Sequence, residues 1–173
     1  MNMVLEGNVA WVFPDHFDVD FIIGMKNTRE NDISKLIPIA MGEFEDGFAD
    51  SVNPGDIFVG GRNFGYGHAH RQCMETIRQI GINTVIAESF APGFFRGEAG
   101  NGMALLSAPE ITQKASRGDR LRVDFENGIV ENLTTKETII AKKPSGIILD
   151  LYKSGGNVGF LKKQLANPDF SGK

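Results

Sequence analysis

The sequence is poor in cysteine, has no long apolar run and carries no excess of positive charge. Its single cysteine, Cys73, excludes an intrachain disulfide and an iron–sulfur cluster held by this chain alone, since such clusters usually need several thiolates. No apolar stretch approaches the roughly 20 residues that cross a bilayer, and the N-terminus lacks the basic and apolar regions of a secretory signal. With 18 Lys and Arg against 22 Asp and Glu, the net charge of −4 offers no basic surface to nucleic acid. We therefore expect a cytoplasmic protein that binds neither membranes nor nucleic acid.

Glycine and phenylalanine are abundant instead. The 173 residues include 21 glycines, about 12% where about 7% is typical, and 13 phenylalanines. This composition suggests a compact core and tight backbone turns. The length fits one domain, so we expect residues 1–166 to form a single domain and residues 167–173 to form a flexible C-terminal tail.

The spacing of apolar residues predicts a mixed α/β architecture. A strand over 57–59, a glycine-rich segment, a helix over 68–81 and a strand over 83–87 form a βαβ unit, which predicts parallel strands with a right-handed crossover. Strict alternation over 120–125 predicts the first strand of an antiparallel meander. The other predicted elements are a strand over 3–13 with a hairpin turn or bulge at Gly7-Asn8, exposed loops over 25–31 and 89–102, a helix over 33–37 capped by Asp32, meander strands over 129–133 and 138–141, and helices over 147–152 and 158–165.

The densest chemical signal is the segment over 60–71, GGRNFGYGHAHR, between the first strand and the helix of this unit. A glycine-rich bend that opens a helix presents free backbone N–H groups and the positive end of the helix dipole, which favour phosphate, sulfate or carboxylate. The segment is not a P-loop, because no Gly-Lys-Ser/Thr follows, and it lacks the third glycine of a dinucleotide fingerprint. It also contains Arg62, Arg71, His68 and His70, which could bind an anion and transfer protons. The simpler interpretation is a tight turn with surface histidines.

Two other interpretations of these residues are less favoured. His68 and His70 could form a metal pair, but side chains two residues apart at a helix start point to different sides. No further His or Cys lies nearby to complete such a site. Cys73 falls on the apolar stripe of the predicted helix, which favours a core residue over a nucleophile. We therefore expect no metal ligand in this chain.

Carboxylates near the N-terminus, followed by two cations, form a second candidate site. A carboxylate there could serve as acid, base or hydrogen-bond anchor, while a cation could pair with a substrate carboxylate. A solvated turn is the interpretation that these residues alone favour. A weaker candidate is Ser89, which follows the second strand of the βαβ unit and could line the same edge of the sheet. The charged residues of the second candidate are Asp15, Asp18, Asp20, Lys26 and Arg29.

Taken in order along the chain, these segments resemble a known family. The family has Asp-x-Asp-Thr-Asp-x-Ile-Ile near the N-terminus, then Gly-x-Asn-(Phe/Tyr)-Gly-x-Gly-Ser-Ser-Arg-Glu before a helix, and Ser-Phe-Ala with Phe-x-Asn and Asn-x-Gly downstream. This pattern is that of the small subunit of 3-isopropylmalate dehydratase, which is similar to the swivelling domain of aconitase. The matching segments here, which extend over most of the chain, are Asp18-Val19-Asp20-Phe21-Ile22-Ile23, Gly61-Arg62-Asn63-Phe64-Gly65-Tyr66-Gly67, Ser89-Phe90-Ala91, Phe94-Phe95-Arg96 and Asn101-Gly102.

The resemblance implies a swivelling β/β/α domain of the α/β class, with a mixed sheet flanked by helices, that closes over a large subunit carrying a 4Fe–4S cluster. Together the two subunits would dehydrate and rehydrate a 2-hydroxy di- or tricarboxylic acid, a hydro-lyase reaction of leucine biosynthesis. This chain would bind no cofactor, would be inactive alone and would form a heterodimer with the large subunit. The single cysteine agrees with a cluster held by the partner.

Not all of the family's functional residues recur. The serine that serves as base in the family falls on His68, and the second serine falls on Ala69. The family's substrate-binding arginine falls on His70 and its glutamate on Arg71, so Arg62 or Arg71 would have to supply the guanidinium. Because an imidazole takes a proton more readily than an alcohol, the resemblance implies His68 as the base and His70 as a second catalytic residue. The substrate-binding residues implied are Asp20, Arg29, Arg62, Gly65, Gly67, Ala69 and Arg71.

The substrate-selecting loop of the family, Tyr-Leu-Arg, aligns with Asn27-Thr28-Arg29 and loses its apolar residues. An isopropyl group favours apolar surface, so the substrate implied is 3-isopropylmalate or a smaller or more polar acid, such as 2-methylmalate, 2,3-dimethylmalate or a homocitrate-type acid. Because the family's serine and arginine are replaced, a non-catalytic regulatory subunit and a stand-alone anion-binding module are alternatives.

Overall fold

The computed structural model, which describes residues 3–166, is built on one seven-stranded mixed sheet. Its strands are β1 (Val4–Phe13), β2 (Ile57–Gly60), β3 (Thr84–Ala87), β4 (Ala104–Ser107), β5 (Arg120–Asp124), β6 (Ile129–Asn132) and β7 (Glu137–Ile140). The helices are α1 (Ile33–Leu36), α2 (Phe48–Ser51), α3 (Arg71–Gln79), α4 (Pro92–Gly100), α5 (Ile111–Lys114), α6 (Gly146–Ser154) and α7 (Asn157–Leu165). The strand order is β4-β3-β2-β1-β5-β6-β7, so the first strand of the chain lies at the centre. The α/β class with a mixed sheet is confirmed.

β1 joins a parallel and an antiparallel half of the sheet. Its residues 4–8 pair antiparallel with β5, and its residues 9–13 pair parallel with β2. The strand continues through Gly7, which pairs with Leu121, so the hairpin turn expected at Gly7-Asn8 is absent. The irregularity lies farther along, where the register with β2 shifts between Val9 and Trp11. Glycine is required at position 7 because a Cβ there would lie 2.0 Å from the carbonyl oxygen of Gly55.

The parallel half consists of β4, β3, β2 and the second part of β1. β2 and β3 pair in parallel around α3, which confirms the βαβ unit, and almost every residue of β2, β3 and β4 is buried. The loop expected over 89–102 is wrong, because this stretch contains α4, which leads into β4 at the edge of the sheet. Pro92 occupies the first turn of α4, where its missing N–H costs nothing. The helix includes three glycines among its nine residues, which lower its helix propensity and conceal it in the sequence.

The antiparallel half is the meander that the sequence alternation predicts. β5 pairs with β1 and β6, and β6 pairs with β7. Along β5, Leu121 and Val123 face the core while Arg122 faces solvent. Arg122 lies 3.4 Å from Glu131 of β6, across the exposed face. This half has the ordinary construction of a sheet with one buried and one solvated face.

α3 begins later than the helix predicted over 68–81. Gly67 has a φ of +89°, and His70 has extended backbone angles of −79° and 145°. Helical geometry therefore starts only at Arg71, which leaves the two histidines on the bend and at its junction with the helix. The helix ends at Gln79, two residues before the glycine expected to stop it.

The remaining helical predictions hold with small changes. Asp32 caps α1, where its Oδ1 accepts the N–H of Ser34 at 3.1 Å. The loop expected over 25–31 contains a 3₁₀ turn at Met25–Asn27, and another 3₁₀ helix, Val19–Ile22, precedes it. α6 and α7 confirm the two C-terminal helices and extend them slightly.

Phenylalanines fill the core beneath the parallel strands. The ring of Phe13 lies 4.3 Å from that of Phe17, 4.9 Å from that of Phe58 and 5.5 Å from that of Phe64, measured between centroids. Among residues 3–166, no helix combines the length and apolar character that a membrane-spanning segment needs. The tail predicted over 167–173 lies outside the described residues, and the domain boundary at 166 stays a prediction.

Candidate active site

Three loops meet where β1, β2 and β3 end. They follow these strands at residues 14–20, 61–70 and 88–91, and because the strands run parallel their carboxyl ends share one edge of the sheet. The N–H of Phe64 donates to the carbonyl of Ser89 at 2.9 Å. The N–H of His16 donates to the carbonyl of Arg62 at 2.7 Å. The structure therefore brings together the three segments that the sequence singles out.

An exposed ion pair fastens the start of the glycine-rich bend. Nε of Arg62 donates to Oδ2 of Asp15 at 2.8 Å, Nη2 lies 2.5 Å from the same oxygen, and the backbone N–H of Arg62 donates to Oδ1 at 2.7 Å. These hydrogen bonds hold the pKa of the Asp15 carboxyl below its usual range and raise the pKa of Arg62. Gly61 touches the same carboxylate, since a Cβ there would lie 2.3 Å from Oδ1 of Asp15. Arg62, expected to bind substrate, is engaged by Asp15 in this structure.

Asn63 and Ser89 hold the next part of the bend. Asn63 has a φ of 54°, in the left-handed region that few residues other than glycine adopt. Its N–H donates to Oγ of Ser89 at 2.9 Å, and its side-chain amide lies 3.1 Å from Nδ1 of His16. Ser89 thus positions the bend. The third histidine of the chain, His16, lies at this edge too, and the turn that begins at Pro14 is the only sequence signal that could have pointed to it.

Gly65 is needed for packing. Its N–H and that of Tyr66 both donate to the carbonyl of Phe17, at 3.0 and 3.1 Å. A Cβ on Gly65 would lie 2.2 Å from Cγ of Phe94, and its φ of +78° disfavours any other residue. The fold therefore uses the Gly65 amide internally, and not every N–H of the glycine-rich bend is free.

Backbone N–H groups without an acceptor in the described part of the chain follow Gly65 and Tyr66 along the bend. Within residues 3–166, the N–H groups of Gly67, His68 and Ala69 have no hydrogen-bond acceptor. They precede the first turn of α3, a nine-residue helix whose positive dipole end favours a negative charge. A Cβ on Gly67 would lie 2.5 Å from Oδ2 of Asp18, so only glycine fits there. This row of amides is where a carboxylate would be held.

A buried carboxylate contacts His70 from beneath the bend. Oδ1 of Asp20 accepts the backbone N–H of His70 at 3.0 Å, and Oδ2 lies 2.6 Å from Nδ1 of the His70 ring. Asp20 is 1% exposed, whereas the His70 side chain is 41% exposed. The solvated turn favoured by the sequence is therefore wrong for Asp20. The carboxylate expected to bind substrate is occupied by His70.

The remaining predicted residues lie at the rim of this edge. His68 is exposed, and its ring meets that of His70 edge to face, with centroids 5.5 Å apart. Arg71 is exposed and pairs with Glu75 of its own helix at 2.6 Å. Arg29 is exposed on the loop after the 3₁₀ turn. The structure thus brings the two histidines together and engages Arg71 elsewhere.

Cys73 is a core residue, as its place on the apolar stripe predicts. Its Sγ lies 2.8 Å from the carbonyl oxygen of Val19, to which the thiol donates. Burial, with the charge of Asp20 in support, raises the pKa of the thiol well above its usual value, so it stays protonated at neutral pH. In the described part of the chain, no three His, Cys, Asp or Glu side chains converge as metal ligands would.

A cleft of about 500 Å³ opens beside Ser89, between α4 and the start of α6. Its lining combines apolar side chains with three cations and includes no carboxylate. The sequence pattern did not reveal it, because its walls come from elements far apart in the chain. The residues that line it include Phe90, Phe95, Leu105 and Ile148 on the apolar side and Arg96, Lys142 and Lys143 on the charged side.

The edge can therefore hold an anion and move a proton. The free amides before α3 can donate hydrogen bonds to a carboxylate, and two imidazoles lie beside them. One of those imidazoles is fixed by a buried carboxylate, an arrangement used by general bases.

Comparison with known proteins finds relatives over nearly the whole chain. The chain is 34% identical over 166 residues to the isopropylmalate/citramalate isomerase small subunit of Methanocaldococcus jannaschii, which covers 96% of this chain and 98% of that protein. It is 34% identical over 167 residues to the 3-isopropylmalate dehydratase small subunit of Thermodesulfovibrio yellowstonii, with 96% and 99% covered. The crystal structure of 3-isopropylmalate dehydratase from M. jannaschii matches with a TM-score of 0.82 at 30% identity, covering 94% of this chain and 96% of that chain. No protein-family model matches the chain.

Proposed function

The chain belongs to the family of 3-isopropylmalate dehydratase small subunits, and from that membership we propose that it is the small subunit of an aconitase-like hydro-lyase. It works with a large subunit in the cytoplasm and is inactive alone. The complex dehydrates and rehydrates a 2-hydroxy dicarboxylic acid. The observation that best supports this role is the meeting of free backbone amides and two imidazoles at one edge of the sheet.

The 4Fe–4S cluster of such enzymes does not fit the residues of this chain. The only thiol, Cys73, is buried and donates to a backbone carbonyl, and no three ligating side chains converge among residues 3–166. A cluster of this kind usually needs several thiolates. We therefore place it on the large subunit, where it would act as a Lewis acid.

In the proposed complex, this chain binds one substrate carboxylate and exchanges one proton. The carboxylate accepts hydrogen bonds from the N–H groups of Gly67, His68 and Ala69, at the positive end of α3. His68 and His70 are the catalytic residues, since either imidazole could accept a proton from the carbon beside that carboxylate. Arg71 and Arg29 are exposed and could bind the second carboxylate once the large subunit closes over this edge.

We propose a substrate with a smaller apolar group than isopropylmalate. At the substrate-selecting loop, Nδ2 of Asn27 donates to the carbonyl of Ile23 at 2.6 Å, and Oγ1 of Thr28 donates to that of Met25 at 3.0 Å. These polar side chains are folded onto their own loop and offer little apolar surface to an isopropyl group. The M. jannaschii relative carries both isopropylmalate and citramalate (2-methylmalate) in its name. Citramalate is the smaller of the two and suits this loop better.

Reconstitution tests the proposed function. The chain mixed with its cluster-loaded large subunit should dehydrate citramalate and 3-isopropylmalate, and neither subunit alone should do so. We expect kcat/KM to favour citramalate by about tenfold or more, the range that a few methylenes in a pocket can provide. A complex that acts on neither acid, nor on 2,3-dimethylmalate, would contradict the proposal.

A non-catalytic subunit is the second candidate, because the family's serine and arginine are His68 and His70 here. The double variant His68→Ala/His70→Ala separates the two. A fall in kcat of about 10²-fold or more, the usual contribution of general acid–base catalysis, supports a catalytic role. Unchanged turnover in an intact complex would identify a regulatory or anion-binding subunit instead.

A further inference from the structure

We propose that Asp20 is a positioning residue that holds His70 in the tautomer whose Nε2 accepts the substrate proton, so that His70 and not His68 is the base. The catalytic part of this proposal rests on the function proposed above. Its structural part concerns the chain alone and can be measured without a substrate. It gives Asp20 a role other than the substrate binding that the family resemblance implies.

Asp20 contacts His70 through both of its carboxylate oxygens. Oδ1 accepts the backbone N–H at 3.0 Å, and Oδ2 lies 2.6 Å from Nδ1 of the ring. An ionised carboxylate can only accept hydrogen bonds, so Nδ1 must carry a proton. In the neutral imidazole the free lone pair then lies on Nε2, which becomes the basic atom.

The Asp20 carboxylate, which orients the His70 ring, is held in place by its own surroundings. Asp20 belongs to the 3₁₀ helix Val19–Ile22, and its backbone N–H donates to Oδ1 of Asp18 at 3.1 Å. Asp20 is 1% exposed, and both of its carboxylate oxygens contact His70. The ring of His70 cannot turn without losing the contact at Nδ1. A base held in this way stays in reacting geometry, which is a large part of catalysis.

The other ring nitrogen of His70, Nε2, has no hydrogen-bond partner among residues 3–166. The His70 side chain is 41% exposed although Nδ1 is engaged by a buried carboxylate. Nε2, on the other side of Cε1 from Nδ1, is thus the ring nitrogen that forms no hydrogen bond within the described residues. His68, by contrast, makes no side-chain hydrogen bond within the described residues, and its ring touches His70 only edge to face. Nothing here fixes the tautomer or the orientation of His68.

The proposed step balances without any further reactant. In the dehydration direction, Nε2 of His70 takes the proton from the carbon beside a carboxylate, and the C–H electron pair becomes the second bond of the new C=C. The hydroxyl leaves the neighbouring carbon as hydroxide with the C–O electron pair and would be taken up by the Lewis acid of the large subunit. The imidazolium that forms keeps its Nδ1–H on Asp20, whose negative charge stabilises it. In the hydration direction the imidazolium returns the proton.

The charged groups around His70 come from three elements. Asp18 caps the 3₁₀ helix and Asp20 lies on it, His68 lies on the bend, and Arg71 begins α3. Within residues 3–166, only Asp20 forms a hydrogen bond with the His70 ring. Replacing Asp20 should therefore change the tautomer and orientation of the His70 ring more than replacing any of the others.

The structural part is tested by ¹⁵N NMR of the histidine rings in the full chain at pH 7.5, with His68→Gln to assign the signals. We expect His70 in the Nδ1–H tautomer and His68 in the ordinary mixture of tautomers. In Asp20→Asn, the Asn amide can present an N–H to the ring, so the His70 tautomer should shift toward Nε2–H. Wild-type His70 found as Nε2–H, or doubly protonated at this pH, would overturn the proposal.

The catalytic part is tested in the reconstituted complex. Asp20→Asn should lower kcat by about 10²- to 10⁴-fold, the range for a base left in the wrong tautomer, while KM changes by less than about threefold. The acidic limb of the kcat–pH profile should move as well, which a merely structural defect would not cause. Asp32→Asn is the matched control, since Asp32 also accepts a backbone N–H near a helix start but touches no histidine.

A double variant covers the case in which Asp20→Asn is poorly folded. If Asp20 acts only through His70, then Asp20→Asn/His70→Gln should be no slower than His70→Gln alone. Additive losses, or an Asp20→Asn complex with wild-type kcat, would overturn the assignment. A complex without hydro-lyase activity would refute the proposed function and leave the NMR result to decide the tautomer.

Discussion

The two halves of the sheet differ in where their charged residues lie and in how those residues are paired. In the antiparallel half, Arg122 and Glu131 face each other at 3.4 Å on the solvated side of the meander, where an ion pair contributes little. In the parallel half, Asp20 is buried and satisfied by two groups of His70. A buried carboxylate is costly without such partners. The carboxylate beside the proposed base is therefore buried against its partner, whereas the charges of the meander form an exposed pair.

The difference follows from strand direction. Parallel strands deliver all of their following loops to one edge, so residues from distant parts of the chain converge there. Within the meander, short turns at alternating ends join β5 to β6 and β6 to β7, so these two pairings bring together residues that are close in the sequence. If this is right, substitutions at the parallel edge should change activity and those in the meander should not.

The largest expected effect is on turnover. His70→Gln in the reconstituted complex should lower kcat by about 10²- to 10⁴-fold, because it removes the proposed base. Arg122→Gln, in the meander, should leave kcat within about twofold, since it changes only exposed ion pairs, with Glu131 and Glu6. Steady-state kinetics on citramalate measure both. Equal kcat for the two variants would remove the distinction between the halves.

The next effect is on stability. Gly65→Ala combines a φ of +78° with a Cβ placed 2.2 Å from the Phe94 ring, and should cost about 3 kcal/mol. Gly118→Ala, at the turn into the meander, has a similar φ of +88° but open space around the Cβ, and should cost about 1 kcal/mol. Urea unfolding measures the difference. A Gly65→Ala protein as stable as Gly118→Ala would show that the bend is not packed against α4.

A smaller effect concerns the contact between α6 and the parallel half. The hydroxyl of Tyr152 donates to the carbonyl of Leu105 at 2.8 Å, so Tyr152→Phe should cost about 1 kcal/mol at neutral pH. Burial raises the pKa of Tyr152 to about 12, above its unfolded value of about 10. The stabilisation is therefore complete below pH 10 and declines as the pH rises toward 12. Chemical unfolding at several pH values should show the gap between wild type and Tyr152→Phe closing over that range.

The smallest expected effect comes from removing the exposed ion pair between Arg62 and Asp15 at the start of the bend. Arg62→Gln should raise the pKa of the Asp15 carboxyl toward its ordinary value, because the arginine hydrogen bonds and charge now lower it. Since the folded-state pKa of Asp15 is the lower one, its contribution to stability is present above pH 4 and is lost as the pH falls through the folded value. NMR titration of Asp15 reads the shift directly. Arg122→Gln is the control and should leave Asp15 unchanged.

The sequence predicts best those parts of the fold whose strands and helices show a clear apolar periodicity. The βαβ unit and the meander are built from short runs with clear apolar periodicity, and both are present. α4 was not predicted, because its three glycines and its proline are typical of loops. It forms because its apolar side, including Phe94, is buried against the core. Tertiary packing outweighs propensity there.

The sequence predicted which loops could meet at this edge of the sheet, but not the contacts that form between their residues. The bend, its histidines and the family pattern located the edge. The pairing of Asp20 with His70 joins residues 50 positions apart, and no local pattern reports such a contact. The use of the Gly65 amide by the Phe17 carbonyl is likewise a tertiary contact. Glycines in a bend predict that some backbone N–H groups are free to bind a ligand. They do not predict which of these groups form hydrogen bonds within the protein.

The most direct test of this account is a crystal structure of the complete enzyme with citramalate bound. A substrate carboxylate oxygen should lie about 2.7–3.2 Å from the amides of Gly67 to Ala69, and Nε2 of His70 should face the carbon that loses its proton. A substrate bound away from this edge, or a His70 ring whose Nε2 points into the protein, would contradict it.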